Sequence, residues 1–386
     1  MADWPFITRT RGGTDLADLS PYLREREVTF RLNRPPTAKG KMNMASPRAS
    51  TEWLQPGVHE LALWREGSQQ DHLLRLVKAS PSVGRVGSEI AFEWEGIETY
   101  LRGLLIPAGT TVTSVAQSQA AWDRISAGLA LTGASVFAFT RGEVPTTDPV
   151  RSRTYAEPMD VLSAIEELAG LEDGFDFWFD KDREFNVAYP YRGVDTGIVF
   201  EYGRNMLELS YDIDAGPGAI ATDVLVKGSA ASATATDAAA QATYGRVDAM
   251  QAAPDNAAAG GVLQAYADGA LSTLSSPVFV PSIVIDATHA ENPWGSYWLG
   301  DRVTVRCKVG DGSYVNIDQQ YRITAITVKV NDLGSESISL ELGDITPLVL
   351  DRAIIAAKRY EAANATNPVT LPSMAERIAA LERALV

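Results

Sequence analysis

Residues 174–193 read GFDFWFDKDREFNVAYPYRG, and the first eleven positions hold three phenylalanines, one tryptophan and four acids. Spacing decides how the stretch is read. Side chains on an extended strand alternate sides with period two. Phe175, Phe177 and Phe179 therefore share one face, and Asp176, Trp178 and Asp180 share the other. After Asp180-Lys181-Asp182-Arg183 the alternation resumes, with Phe185, Val187 and Tyr189 opposite Glu184 and Asn186, until Pro190 ends the run. The pattern predicts a hairpin with one aromatic face and with its acids in water.

Asp180, Asp182 and Glu184 also copy the opening spacing of a calcium loop. That loop needs glycine at its sixth position and a bidentate glutamate at its twelfth. Here those positions hold Phe185 and Tyr191. A solvated acidic turn is the expectation, and no metal ligand is assigned.

The 386 residues leave room for several domains and a sizeable core. A hydrophobic fraction of 45% and a charged fraction of 22% describe an ordinary folded protein. The net charge of −15 argues against specific nucleic-acid binding, which needs cations to displace phosphate counterions, and against docking on an anionic membrane. Cys307 is the single cysteine, so no intrachain disulfide forms. The N-terminal Met-Ala-Asp-Trp-Pro lacks signal-peptide character, and no run of about eighteen apolar residues gives a membrane anchor. Assembly in a cytoplasm is the expectation.

The first hundred residues read as short strands. Val28, Phe30 and Leu32 alternate before Pro35-Pro36, which is expected to stop the run. Leu61 and Leu63 alternate within residues 59–65, and Ile90, Phe92 and Trp94 share a face within 89–94. Helices are expected over 117–131 and 158–168, the second with Pro158 in its first turn and Gly170 as its stop. It feeds directly into the aromatic hairpin and is expected to be covered by it. Residues 228–261, rich in Ala, Ser, Thr and Gly, read as a loose insertion, and a helix follows around 255–274 with Leu263, Tyr266, Ala270 and Leu274 on one side. Val303, Val305, Cys307 and Val309 then form one inner face, and Ile338, Leu340 and Leu342 another. Cys307 reads as a core residue. After the polar linker NATNPVT, Leu371, Met374, Ile378, Leu381 and Leu385 repeat at three and four, an a/d seam that serves as a candidate partner-binding surface. A terminal helix docked on its own domain is the other reading of this seam.

Catalytic signatures do not emerge. His59, His72 and His289 are isolated, and His59-Glu60 cannot open a zinc-protease motif because Leu63 stands where the second histidine belongs. There is no phosphate-binding glycine loop with its lysine and no G-x-S-x-G nucleophile elbow. Arg302, Arg306 and Lys308 line one face of a strand and read as a solvated face or subunit contact. No catalytic residue, cofactor or metal is assigned.

The order of elements resembles a known family. A helix runs into the hairpin; LELSYDID, TDVLVKGS and ATYGRVDA follow, then WLGDRVTVRC and QYRITAITVKVNDLGSESISLELGD. Over about residues 20–345 this resembles the minor tail proteins of long-tailed bacteriophages that form the distal tail-tip or baseplate hub, a family that includes gene-transfer-agent tail hubs. The resemblance implies a mainly β, α+β fold with two small tail-tube-type β-barrel domains, an inserted α/β domain and a C-terminal helix. The implied division is a first barrel over 1–100 completed by 198–228, an insertion over 101–197, a second barrel within 229–346, and a linker and helix over 347–386. It also implies a non-enzymatic homotrimer at the distal tip of the virion tail. The distal tail or tail-tube protein would lie above it, fibre, spike or receptor-binding proteins below, and the tape measure protein within reach. A receptor- or carbohydrate-binding adhesin is the alternative, its eight tryptophans then forming an exposed row. A cell-wall hydrolase is a further alternative, although no stretch after Asp344 is long enough for a fused hydrolase domain.

Overall fold

The computed structural model describes residues 4–343 other than 85–86, 156, 171–173, 211–219, 229–230, 253–262, 265–266, 269, 272–273, 276–280, 287, 292 and 311–314. The described residues up to 210, together with 281–343, form one compact unit, and those from 220 to 275 form another. The chain is mainly β with a few short helices, the α+β class expected from its sequence.

In chain order, the first unit opens with β1 (Phe6–Thr10), β2 (Asp15–Asp18), β3 (Leu23–Arg31), β4 (Arg34–Asn43), β5 (His59–Arg65), β6 (Ser68–Val83) and β7 (Ser88–Gly96). A segment over 97–193 follows. It holds a 3-10 helix (Ile97–Gly103), β8 (Leu105–Ile106), β9 (Thr110–Ala116), α1 (Gln117–Leu129), β10 (Thr140–Arg141) and β11 (Val150–Tyr155). Next come β12 (Met159–Asp160), α2 (Val161–Ala169), β13 (Asp176–Phe179) and β14 (Glu184–Ala188). Then come β15 (Asp195–Glu201) and β16 (Met206–Ser210). The second unit contains β17 (Asp223–Lys227), β18 (Ser232–Thr236), α3 (Ala238–Tyr244) and β19 (Asp248–Ala252). The chain returns to the first unit with β20 (Ser282–Ile285), β21 (Arg302–Val309), β22 (Val315–Val330) and β23 (Glu336–Gly343).

One 13-stranded sheet organises the first unit in the order β16-β20-β23-β22-β3-β4-β7-β6-β5-β1-β2, with β21 beside β22 and β15 beside β21. β22 pairs β21 through Val315–Arg322 and β3 through Ala325–Val330, so a single strand runs through both halves. Among the described residues no ladder closes this sheet into a barrel. One continuous core lies on its inner face, from Trp4, Phe6 and Phe30 to Ile326, Ile338 and Leu340. β5 is buried on both sides because its alternation feeds two cores. Leu61 and Leu63 face the sheet's own core, whereas Ala62 and Trp64 face the core of segment 97–193.

Four local expectations are corrected. Pro35 and Pro36 lie inside β4 and do not end a strand. The chain reverses at Asn33, whose φ is 56°, and the ladder to β7 begins only at Thr37, so the missing proline N–H groups break no pair with that strand. Residues 228–261 are not a loose insertion throughout, since β18, α3 and β19 fall there and flank β17 in a three-stranded sheet. The alternating Ser and Ala of β18 are too small to give a visible hydrophobic period. Val309 is 51% exposed and leaves the inner face that Val303, Val305 and buried Cys307 share. α2 begins at Val161 with Asp160 as its cap, whose side chain accepts from the Ser163 N–H at 2.8 Å, so Pro158 stands outside it. β17 itself pairs antiparallel with β18 and parallel with β19.

Candidate functional site

The hairpin forms with the expected pairing, Phe177 opposite Val187 and Phe179 opposite Phe185. Phe175, Phe177, Phe179, Phe185 and Val187 are all buried against α1 and α2. At about 1.5–3 kcal/mol for each such side chain, this face is the main apolar contribution of the hairpin.

The opposite face departs from the expectation at Asp176. This carboxylate is 1% exposed and not in water. One oxygen accepts from Asn33 Nδ2 at 2.7 Å; the other accepts from the Arg192 backbone N–H at 2.6 Å and from the Arg322 guanidinium. Asn33 Oδ1 in turn accepts from the Phe177 N–H at 2.8 Å. Arg322 Nε donates to the Gly300 carbonyl at 3.1 Å, and Nη2, the nitrogen that meets Asp176, also donates to the Arg192 carbonyl at 3.1 Å. The β3–β4 turn, the hairpin, its exit at Arg192 and the core strand β22 are thus tied at one carboxylate. Backbones cross here so closely that a Cβ on Gly193 would lie 2.2 Å from the Gly300 carbonyl; both glycines have positive φ, +98° and +90°.

The hairpin turn carries a second buried pair. Arg183, with φ 65°, places its guanidinium on Glu60 of β5, 2.5 Å from Oε2, and donates to the Arg11 carbonyl at 2.9 Å and the Phe137 carbonyl at 3.2 Å. Tyr100 donates its hydroxyl to the other Glu60 oxygen at 3.1 Å, and burial together with that carboxylate raises the phenol's pKa. The remaining acids of the turn behave as expected only in part. Asp182 is exposed beside Lys181, but Asp180 anchors the turn, accepting from the Asp182 and Glu184 N–H groups at 2.9 Å and from Asn186 Nδ2 at 2.9 Å.

Two further titratable groups are buried at these contacts. His72 on β6 lies between Phe30 and Trp298, and burial, with Arg192 nearby, lowers its pKa to about 3. Glu98, in the first turn of the 3-10 helix, is pushed up to about 8 by burial. Such groups can mark catalysis. Among the described residues, however, no three His, Cys, Asp or Glu side chains are grouped to hold a metal ion.

The outer sheet face alternates charge across its strands. Lys329, Glu27, Lys39, Glu93 and Lys78 follow one another in register across β22, β3, β4, β7 and β6. Glu95, Arg75, Glu60, Arg9 and Asp15 do so across β7, β6, β5, β1 and β2, with Glu60 buried beneath segment 97–193. Opposite charges placed side by side leave no single-sign track for a polyanion here. Arg302, Arg306 and Lys308 do not change this: Arg306 pairs with Asp318 at 2.9 Å and Arg302 lies over Tyr191. None of the eight tryptophans is exposed, so they form no stacking platform. The seam of Leu371, Met374, Ile378, Leu381 and Leu385 lies outside the described residues. Asp176, Arg322, Asn33, Glu60 and Arg183 carry no local signal that would have singled them out, because each partner is remote in sequence.

No protein-family model matches the chain, and no curated protein does. Solved structures do match. A 43 kDa tail protein of prophage MuSo2 from Shewanella oneidensis aligns at 11% identity with a TM-score of 0.60, over 89% of this chain and 99% of that one. The tail protein from Neisseria meningitidis MC58 gives 14% identity and a TM-score of 0.59, over 90% and 99%. The fold is that of phage tail proteins. Prophage tail protein gp18 from Listeria monocytogenes EGD-e repeats the likeness at 13% identity and a TM-score of 0.53, over 92% and 99%. At these identities the likeness is one of fold, and it extends over both units and not over one sheet alone.

Proposed function

We propose that this chain is a structural, non-enzymatic component of a phage tail, placed at the distal tip as a hub. The observation that carries the reading is the end-to-end likeness to the Shewanella tail protein, which takes in 99% of that chain. The buried joints agree with it, since they use charged groups to fix one part of the chain on another and leave them closed to substrate. The hub assembles as a homotrimer, meets the tail tube above and fibre, spike or receptor-binding proteins below, and uses the seam of Leu371, Met374, Ile378, Leu381 and Leu385 to attach the next component. The adhesin alternative lacks the exposed row of tryptophans on which it would rest.

Immunogold labelling of isolated tails with antibody to this chain tests the placement. Label confined to the distal end is the expected result; label along the whole tube, or none on assembled tails, contradicts it. Light scattering of the purified chain, alone and mixed with neighbouring tail proteins, tests the trimer, and a monomer under every condition overturns that part.

A further inference from the structure

At one end of the sheet, β2 pairs only with β1 among the described residues, so no described strand covers its other edge. Beside it is a cleft of about 440 Å³ lined by Pro5, Ile7, Leu16 and Trp64, with Asp15 and Asp18 at its edge. The Trp64 indole N–H is buried and has no hydrogen-bond acceptor among the described residues. An open strand edge and an apolar floor together suit an extended peptide, which offers backbone groups and alternate side chains.

Charge decides which peptide. The row Glu95, Arg75, Glu60, Arg9, Asp15 alternates in sign strand by strand and stops at β2. A strand added to β2 places a residue directly opposite Asp15, where a cation continues the alternation on the far side of the Arg9–Asp15 pair at 3.2 Å. Asp18 and Glu66, both exposed, add to the demand. These local acids draw a basic segment to the edge. Acids on a short edge strand also discourage indiscriminate pairing. We infer that the β2 edge is a strand-addition site for an extended basic segment of another protein, with Lys or Arg opposite Asp15 and an apolar side chain against Ile7, Leu16 and Trp64.

Three fluorescein-labelled eight-residue peptides test this against the full chain: two repeats of Lys-Ser-Val-Ser, which put lysine and valine on one strand face as Asp15, Ile7 and Trp64 require, the same peptide with glutamate for lysine, and a block peptide of two lysines, two valines and four serines. Anisotropy at low salt should show binding of the first peptide at least tenfold tighter than either control. Hydrogen exchange of Asp15–Asp18 should slow at least tenfold in its presence. Asp15→Lys, at a half-exposed side chain, should weaken binding at least tenfold without lowering the melting temperature appreciably. The inference is overturned if the block peptide binds equally, if no peptide binds, or if protection appears on another strand. Self-association of the chain that Asp15→Lys abolishes would overturn it in favour of a second copy.

Discussion

Two buried aspartates organise the two units by different means. In the first unit Asp176 gathers three chain regions and is balanced by a full charge, Arg322, with both side chains 2% exposed. In the second, Asp223 is held by neutral donors, Thr222 at 3.1 Å, Thr236 at 2.9 Å and Gln241 at 2.5 Å, while Arg246 stands 3.8 Å away. The neutral cluster spans residues 222–241, so it needs only local folding. The charged one joins residues 146 positions apart and needs the whole first unit in place. A buried ion pair resists separation because removing one partner strands the other, even where the pair itself contributes little net stability.

That contrast predicts its largest effect at Asp176. Asp176→Ala should destabilise the first unit by about 3–5 kcal/mol in urea unfolding, since Arg322 is then left buried and unpaired. A double-mutant cycle with Arg322→Met should show strong coupling, the pair of substitutions costing less than the sum of the singles. Additive costs would mean that the two groups act independently. Gly193→Ala sharpens the same point sterically: a positive φ and a Cβ 2.2 Å from the Gly300 carbonyl should cost about 2–4 kcal/mol, while Gly57→Ala, whose added Cβ meets nothing, pays only the smaller penalty of its φ.

Glu98 predicts a gain. A carboxyl raised to about 8 in the folded chain binds its proton more tightly there than when unfolded, so it withdraws stability as pH rises from about 4.5 to 8. Glu98→Gln should add about 2 kcal/mol at pH 8 and almost nothing at pH 4. His72 has the opposite sign, with a folded pKa near 3, so stability falls as pH drops from about 6.5 toward 3. Replacing His72 with Gln should flatten that acid limb in a pH series of thermal melts.

Asp223 sets the small end of the contrast. Hydrogen bonds, from Gln241 foremost, lower its pKa, so its contribution is complete above the ordinary carboxylate range and disappears as pH falls through the lowered value. Asp223→Asn should lower the stability of the second unit by less than Asp176→Ala lowers that of the first, and only above that window. Asp182→Asn, at an exposed turn position, should stay within ~0.5 kcal/mol.

The same contrast explains what the sequence discloses. Period-two alternation exposes the hairpin's aromatic face, the inner residues of β21 and β23, and the core role of Cys307, because each depends on neighbours two positions away. It also exposes α1 and α2, whose apolar stripes are local. Asp176 was unreadable as a buried residue, since Asn33 and Arg322 reach it from distant strands and nothing within 174–193 announces them. Residues 232–252 were obscured by the opposite cause: side chains too small to show a period although their backbones pair. Glu60 and Arg183 are hidden for the first of these reasons, since they find each other only in three dimensions.

The central claim is that the two buried pairs make the hairpin and the sheet of the first unit one cooperative body. Native-state hydrogen exchange across a urea series measures this directly. The amides of Phe177, Phe179 and Phe185 should exchange with the same opening free energy and the same urea dependence as those of Ile326 and Val328 in β22. In Asp176→Ala the hairpin amides should separate from the sheet and open first. If they already open at a distinctly lower free energy in the unaltered chain, the hairpin is a loosely held appendage and the account is contradicted.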